Sequence, residues 1–325
     1  MTSLICNLAG VALRNPIIMA SGTFGFGREY GELYDLSILG GIASKGLTLH
    51  PRSGNTGCRV QETPSGMMNS VGLENPGITS FLENELDHMV ASGAVVIANL
   101  GGAHLEEYVT GAAQISESCD LRQRQGQKAV DLLELNISCP NVKEGGIQFG
   151  VDTEVARQIV REVRQVTRIP LIVKLSPNAQ DIVAMAYMCE QEGADAVSLV
   201  NTFSAMKIDI AQRRSAFQNT YAGLSGPAIK PIALRMVHQV SQALSIPVIG
   251  MGGISSVEDI IEYIMAGAEA VQIGTYNFVN LHAGEELVSG LTAWMEKEKV
   301  QSLDEIRGDC LTSIANTDLS NQKSV

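Results

Sequence analysis

One cysteine lies where a reactive thiol could do chemistry. Cys139 follows the apolar stretch "LLELNIS" (132–138) and precedes "PNVKEGGIQFG" (140–150), whose glycines are plausible hinges. A thiol in this place can serve as a nucleophile or a general base. A hinged segment beside it could close over a substrate and exclude water. A lone cysteine is more often a small buried apolar side chain, and we expect that role for Cys189.

Two lysines lie inside apolar stretches. Lys174 is part of "LIVKLS" (171–176), and Lys45 is part of "ASKGLTL" (43–49). Lysine is rarely buried without a partner, so both positions indicate a fixed cation that faces bound negative charge. For Lys174 the ligand could be a reduced flavin ring, or a carbonyl group that forms a Schiff base with the amine. The alternative is that its amine reaches water from the edge of a strand.

Four asparagines favour a planar ligand. Asn99, Asn136 and Asn201 each close an apolar stretch instead of lying in a turn, and Asn69 opens the segment "NSVGLENPG" (69–77). A side-chain amide both donates and accepts hydrogen bonds. Several amides in one pocket therefore suit a flat ring edged with C=O and N–H groups, such as a pyrimidine or a flavin.

Glycines near the carboxyl-terminal half of the chain predict a phosphate site. Gly252 and Gly253 lie in "GMGGI" (250–254), Gly274 and Thr275 follow "EAVQI" (269–273), and Gly226 begins "GPAIKP" (226–231). In barrel proteins, backbone N–H groups and a helix N-terminus converge on phosphate at such positions. The simpler interpretation is that these glycines only permit tight turns.

Eight short apolar stretches would position these residues. They are continuous rather than alternating, which is typical of parallel strands buried on both faces. The stretches are 16–22, 41–49, 94–102, 132–138, 170–176, 194–201, 246–253 and 269–275. Between several of them, apolar residues recur at helical spacing in 153–167, 179–193, 226–244 and 256–268.

This alternation predicts an α/β fold, a TIM (β/α)₈ barrel with long insertions after strands two (50–75) and six (202–227). Barrel enzymes build their active sites at the carboxyl ends of the strands, where the polar residues above lie. An open doubly wound sheet is the alternative, but its G-x-G-x-x-G turn is missing after the first strand. We expect a single barrel domain over residues 1–312 and a polar C-terminal tail over 313–325.

Composition narrows the classes of partner. The 325 residues are 45% hydrophobic, which is ample for a large core. A net charge of −12 disfavours nucleic acid and anionic membranes as partners. The six cysteines include no C-x-x-C pair, which predicts reduced thiols and no metal site in this chain. No signal peptide or apolar run of roughly 18 residues is evident, so we expect a cytoplasmic protein.

Four motifs in barrel order resemble one enzyme family. The motifs "NISCPNVKEGG" (136–146), "NSVGLENPG", "SLVNT" (198–202) and "GMGGI" resemble class 1 dihydroorotate dehydrogenases, FMN-binding barrels of pyrimidine biosynthesis. The resemblance spans about residues 4–300. It implies that (S)-dihydroorotate is oxidised to orotate on the route to UMP. In that reaction Cys139 is the base that takes a proton from C5, and a hydride passes from C6 to one FMN per chain.

The resemblance also implies which residues bind each ligand. The residues that would hold the substrate are Lys45, Asn69, Ser70, Val71, Gly72, Leu73, Asn136, Asn201 and Thr202. The residues that would line the FMN ring are Ser21, Lys45, Gly46, Asn99, Asn136, Lys174 and Val200. The residues that would surround its phosphate are Gly226, Gly252, Gly253, Gly274 and Thr275.

The "NVKEGG" segment is similar to class 1B, the NAD⁺-linked catalytic subunit. This similarity implies a partner subunit that carries FAD, an iron–sulfur cluster and the NAD⁺ site, around a homodimer core within a heterotetramer. A class 1A-like enzyme that uses fumarate and a dihydropyrimidine dehydrogenase-like activity remain alternatives. From the residues alone, two further classes stay open: a lyase or aldolase with Lys174 as Schiff base, and a barrel without catalytic activity.

Overall fold

A computed structural model describes residues 2–137 and 152–311 of the chain. Three features singled out in the sequence lie outside the described residues. They are the thiol of Cys139, the glycine-containing segment at 140–150, and the polar tail at 313–325. Within the described residues, no helix has the length and apolar character that crossing a bilayer requires.

The strands fall into one barrel and three small antiparallel sheets. In chain order the described strands are β1 (Cys6–Leu8), β2 (Val11–Leu13), β3 (Ile17–Met19), β4 (Gly41–Ala43), β5 (Val60–Thr63), β6 (Gly66–Asn69), β7 (Val95–Leu100), β8 (Leu132–Asn136), β9 (Leu171–Lys174), β10 (Ala196–Leu199), β11 (Phe203–Ala205), β12 (Ile208–Asp209), β13 (Arg214–Ser215), β14 (Ala222–Ser225), β15 (Val248–Met251) and β16 (Ala270–Ile273).

The barrel confirms the predicted fold class. Eight parallel strands form one closed ring, in which β9 pairs with β10. They are β3, β4, β7, β8, β9, β10, β15 and β16. Each of the eight predicted apolar stretches contains one of these strands. Their residues are buried almost without exception, as expected for strands with barrel interior on one face and helices on the other.

Helices surround the barrel. The described α-helices are α1 (Arg28–Gly31), α2 (Ile78–Ser80), α3 (Leu86–Ala91), α4 (Leu105–Arg124), α5 (Thr153–Val166), α6 (Ile182–Gln191), α7 (Lys230–Ala243), α8 (Val257–Met265), α9 (Tyr276–Val279) and α10 (Ala283–Glu298). The four predicted helical segments correspond to α5, α6, α7 and α8, so those predictions are confirmed. Carboxylates cap two of them, since Asp152 accepts from Glu154 N–H and Asp181 accepts from Val183 N–H.

The long helix α4 was not predicted from the sequence, because small residues form much of its buried face. Gly111, Ala112 and Cys119 are buried there together with the larger Tyr108 and Ile115. A Cβ added at Gly111 would lie 2.7 Å from Ile78 Cδ1. Close packing at this face therefore requires a residue without a side chain, and a pattern built from large apolar residues cannot reveal it.

The amino-terminal hairpin closes the interior of the barrel. Leu8 in β1 and Leu13 in β2 have no exposed surface, and they pack in one apolar cluster with the inward-facing Ile18, Ile97 and Ile249. The cluster also includes Leu132 and Ala270, the first residues of their strands, so it fills the amino end of the barrel. The opposite end of the barrel is left for the polar residues.

A four-stranded sheet joins the two long connections. The connection after the second barrel strand supplies β5 and β6, and the connection after the sixth supplies β11 and β14. The strand order is β11-β14-β6-β5, with Gly223 opposite Asn69 across the central pair. Main-chain hydrogen bonds thus hold two segments that are about 150 residues apart in sequence as one unit.

The hairpin generates a prediction about stability. Leu13→Ala should lower the free energy of unfolding by about 2–5 kcal/mol, because it leaves a cavity inside the barrel. Ile5→Ala is the matched control; its side chain is 63% exposed, so its effect should stay within about 0.5 kcal/mol. Urea unfolding followed by circular dichroism measures both. Equal effects of the two substitutions would contradict the assignment of Leu13 to the core.

Candidate functional site

A cavity of about 940 Å³ lies between the carboxyl ends of the barrel strands and the four-stranded sheet. Both units contribute to its wall, since Gly252 and Gly274 follow barrel strands while Met67 and Gly223 belong to the sheet. The predicted site residues that line it are Ser21, Lys45, Gly46, Asn69, Ser70, Val71, Gly72, Leu73, Asn136, Lys174, Val200, Asn201, Thr202, Gly226, Gly252, Gly253, Gly274 and Thr275. Residues that are distant in sequence thus converge on one chamber.

Of the predicted site residues that the structure describes, Asn99 alone is not part of this wall. Asn99 is fully buried behind Gly46, where a Cβ added to the glycine would lie 3.2 Å from Asn99 Oδ1. Cys139 lies outside the described residues. The strand that leads to it, β8, ends at Asn136, which does line the cavity.

A buried carboxylate that was not predicted from the sequence lies behind the floor of the cavity. Glu134 has no exposed surface, and its oxygens accept from Asn99 Nδ2 at 2.5 Å, Ser198 Oγ at 2.8 Å and Gln272 Nε2 at 2.6 Å. Lys174 Nζ lies 3.8 Å from Glu134 Oε2. Lys174 is therefore a buried cation with a counter-charge, and not one that reaches water from a strand edge.

The signal for Glu134 was present in the sequence. A charged residue inside "LLELNIS" is as unusual as Lys174 inside "LIVKLS", and the strand registers bring the two strands side by side. Gln272, Asn178 and Asn219 also line the cavity and were not predicted. Asn219 belongs to the connection between β13 and β14, whose path over the barrel is a tertiary feature.

Two acceptors at the floor have no partner in the part of the chain that the structure describes. Asn99 Oδ1 and Gln272 Oε1 are buried and receive no hydrogen bond there. Leaving a buried acceptor unpaired costs free energy, so such a group indicates a bound partner. With the Lys174 ammonium beside them, these acceptors suit a ring that presents both N–H and C=O groups, which a flavin or a pyrimidine does.

The segment 69–73 is held against the cavity by two asparagines at its flanks. Asn55 Nδ2 donates to Ser70 O at 3.0 Å, and Asn75 Nδ2 donates to Leu73 O at 2.7 Å. Leu73 has a φ of +54°, a conformation that non-glycine residues seldom adopt. These contacts fix a strained main chain at the wall, which favours a binding role for the segment over a plain turn.

Charge at this wall comes from Lys45. Its Nζ lies 3.7 Å from Glu74 Oε2, and Arg59 Nη1 donates to the same oxygen at 2.9 Å. The Lys45 side chain is 30% exposed, so solvent screens these pairs and their contribution to stability is small. Two cations on one carboxylate leave net positive charge beside the cavity, which suits a ligand with a carboxylate group.

The glycine loop after β15 forms a second wall. Gly253 has a φ of +73°, and a Cβ there would lie 2.8 Å from Gly226 O and 2.8 Å from Lys230 Cβ. Only glycine therefore fits. Gly253 and Gly274 both line the cavity, and neither main-chain N–H has a protein acceptor among the described main-chain hydrogen bonds. Main-chain N–H groups without a protein acceptor are suited to bind a phosphate group.

Asp259 fixes the shape of this loop. Its Oδ2 accepts from Ser255 N–H at 2.8 Å and from Ser256 N–H at 3.0 Å, and its Oδ1 accepts from Lys230 Nζ at 2.5 Å. Burial opposes ionisation of Asp259, but the hydrogen bonds from Lys230 and Ser255 outweigh it and lower the pKa of the carboxyl group. Tyr263 Oη donates to Gly252 O at 2.8 Å and pins the other side of the loop.

The described residues contain no group of three His, Cys, Asp or Glu side chains placed to hold a metal ion. Burial raises the pKa of the Cys189 thiol to about 12, so that it stays protonated near neutral pH. This agrees with the purely structural role expected for Cys189. The chemistry that the cavity supports is therefore that of a cation, amides and main-chain N–H groups around a flat anionic ligand.

Comparison with known proteins places these features in a family context. Residues 3–295 match the family model described as dihydroorotate dehydrogenase. A protein of Petrotoga mobilis named dihydroorotate dehydrogenase B (NAD(+)), catalytic subunit, is 54% identical over 302 residues, which cover 93% of this chain and 97% of the relative. A protein with the same name from Thermoanaerobacter pseudethanolicus is 50% identical over 93% of this chain and 96% of its own length. Another, from Shouchella clausii, is 45% identical over 95% of this chain and 98% of its own length.

The hydrogen bonds of Asp259 predict how the stability of the protein depends on pH. Asp259→Asn should lower the free energy of unfolding at neutral pH by about 1–3 kcal/mol, because it removes a charged acceptor of several buried donors. The ordinary pKa of aspartate is about 3.9, and folding lowers it. The stabilisation is therefore present above that pH and is lost as the pH falls through the folded value.

Denaturant unfolding of wild type and variant at several pH values measures this difference, which should narrow below about pH 4. Asp304→Asn serves as control, since the Asp304 side chain is 76% exposed and its loss should cost less than about 1 kcal/mol. A difference between wild type and Asp259→Asn that is unchanged in acid would contradict the assignment.

Proposed function

This chain belongs to the dihydroorotate dehydrogenase family, and on that premise we propose that it oxidises (S)-dihydroorotate to orotate in pyrimidine biosynthesis, as the catalytic subunit of an NAD⁺-linked enzyme. The observation that carries the proposal is the cavity floor. There a buried cation lies with two acceptors that have no partner among the described residues, at the mouth of a barrel whose sequence matches the family over most of its length.

We propose FMN as the resident cofactor, because the residues present fit it. Lys174, Asn99 and Gln272 offer a cation and two acceptors to a flavin ring, with Ser21, Gly46 and Val200 beside them. The cradle of Gly226, Gly252, Gly253, Gly274 and Thr275 offers main-chain N–H groups to the ribityl phosphate. When bound, FMN supplies the hydride acceptor of the reaction.

The substrate would bind between the segment 69–73 and the barrel mouth. Asn69, Asn136 and Asn201 would bond the edge of the dihydropyrimidine ring, Thr202 would extend that set, and Lys45 would pair with its carboxylate. The amides fix orientation and exclude water, which places the ring for reaction. Cys139 would take the C5 proton as general base, three residues after β8 ends at the cavity.

Electrons would then leave for NAD⁺ through a partner subunit. The relatives are named as catalytic subunits, a term that implies another subunit. We propose that the partner carries FAD, an iron–sulfur cluster and the NAD⁺ site, because the sequence of this chain holds neither closely spaced cysteines nor a dinucleotide fingerprint. Two copies of each chain would form the assembly, around a homodimer of barrels.

Removing the proposed base tests the chemistry. Cys139→Ala should retain FMN and lose most dihydroorotate oxidation, whereas Cys139→Ser should keep part of it, since a hydroxyl can still accept the proton less readily. Stopped-flow reduction of bound FMN by dihydroorotate measures the step directly. Cys310→Ala, an exposed thiol, is the control and should match wild type. Full activity of Cys139→Ala would exclude this residue as the base.

Isolating the chain tests the electron acceptor. The purified chain alone should be yellow and should reduce an artificial dye with dihydroorotate, while its rate with NAD⁺ stays at background until the partner subunit is added. Fumarate, dye and NAD⁺ are compared under the same conditions by absorbance. Fast NAD⁺ reduction without a partner would refute the two-subunit proposal, and fast fumarate reduction would favour the single-chain alternative.

A further inference from the structure

The buried carboxylate of Glu134 has no part in the proposed proton transfer, yet it contacts Lys174 and Gln272, which line the cavity. It has no exposed surface, and its partners come from four other barrel strands: Asn99, Lys174, Ser198 and Gln272. Burying a charge is costly unless it is paired and fully hydrogen-bonded. An apolar residue would fill the same space at lower cost, so the retention of a charge here calls for a functional explanation.

One consequence of Glu134 is the orientation of two amides. An amide that donates its N–H₂ group to a carboxylate must turn its oxygen elsewhere. Asn99 and Gln272 both donate to Glu134, and the oxygen of each amide is buried without a hydrogen-bond partner among the described residues. Gln272 lines the cavity, and Asn99 Oδ1 borders Gly46, which also lines it. Glu134 therefore determines that acceptors, and not donors, face the ligand.

A second consequence concerns charge. Lys174 lines the cavity, with its Nζ 3.8 Å from Glu134 Oε2, so the pair adds no net charge to the floor. Charges buried at this depth are screened far less than exposed ones. If a ligand in the cavity changes its charge on reduction, its reduction potential should therefore depend on whether Lys174 and Glu134 are present.

We propose that Glu134 is a positioning residue for the flavin: it holds the Lys174 ammonium and turns the amide oxygens of Asn99 and Gln272 toward the ring, and thereby sets the midpoint potential of the cofactor. This inference rests on the proposed function, which supplies FMN as the ligand. Glu134 itself does not line the cavity and touches neither ligand in this assignment.

The first test is the midpoint potential of the FMN-bound chain with Glu134→Gln. The substitution removes a negative charge near the ring and presents an N–H₂ group to at least one donor, so that Asn99 or Gln272 must rotate. We expect the reduced, more negative flavin to be favoured at least tenfold over the oxidised form. For a two-electron couple this corresponds to a shift of about +30 mV. Dye equilibration measures the potential, and titration of the apoprotein with FMN measures binding of the oxidised form.

A second pair of variants repeats the comparison without the Lys174 ammonium, and its double variant leaves no unpaired buried charge that could prevent folding. Lys174→Met leaves Glu134 without its counter-charge and should lower the potential. Adding Glu134→Gln to Lys174→Met removes that uncompensated charge, so the double variant should lie at least about 30 mV above Lys174→Met. If Glu134 only supports the fold, the two should have equal potentials.

Glu269→Gln is the matched control. Glu269 is a largely buried carboxylate paired with Arg307, and it precedes β16 at the amino end of the barrel. It should change thermal stability without changing the potential. Two results would overturn the inference: a wild-type potential in Glu134→Gln, or equal potentials of Lys174→Met and the double variant. Neither result would contradict the proposed function, provided that the wild-type chain oxidises dihydroorotate. A wild-type chain that binds no FMN would instead overturn the proposed function, and this inference with it.

Discussion

The structure depends on a buried carboxylate that must be surrounded by donors. Glu134 receives side-chain groups from strands β7, β9, β10 and β16, so its bonds tie five of the eight barrel strands together, its own β8 included. A buried charge is tolerated inside a barrel only if each of its hydrogen-bond partners stays in position. Burying the Glu134 charge costs free energy, and the hydrogen bonds that offset this cost make the floor rigid. A ligand therefore meets a defined set of polar groups.

Above that floor, the barrel is completed by segments that belong to no barrel strand. The sheet of β5, β6, β11 and β14 joins two connections into one cover, and Asn55 and Asn75 hold the segment 69–73 beneath it. On the other side, Asp259 and Tyr263 fix the glycine loop that ends at the cavity. Catalytic barrels place variable loops on a constant scaffold, and here polar contacts from outside the cavity give those loops a fixed shape.

The division of the barrel into two ends follows from the chemistry of its interior. At the amino end, Leu8 and Leu13 of the β1–β2 hairpin pack against isoleucine side chains of the barrel strands. Toward the carboxyl end, a polar network forms around Glu134 from Asn99, Lys174, Ser198 and Gln272. Apolar packing supplies stability at one end, and polar groups that cost stability are concentrated at the other, where a ligand can satisfy them.

The amino-acid sequence by itself determined the fold class, the eight strands and four of the surrounding helices, because each is a local pattern of apolar residues. Most of the site residues predicted from the sequence do line the cavity, because polar residues at the ends of buried parallel strands meet at one rim and the resemblance to the family added the segment 69–73. The four-stranded sheet, the close packing of α4 at Gly111 and the network around Glu134 were decided only by the tertiary structure. Each of these features depends on the order of the strands in the folded protein and on the atomic contacts that this order creates. The spacing of residues along the sequence does not specify either of them.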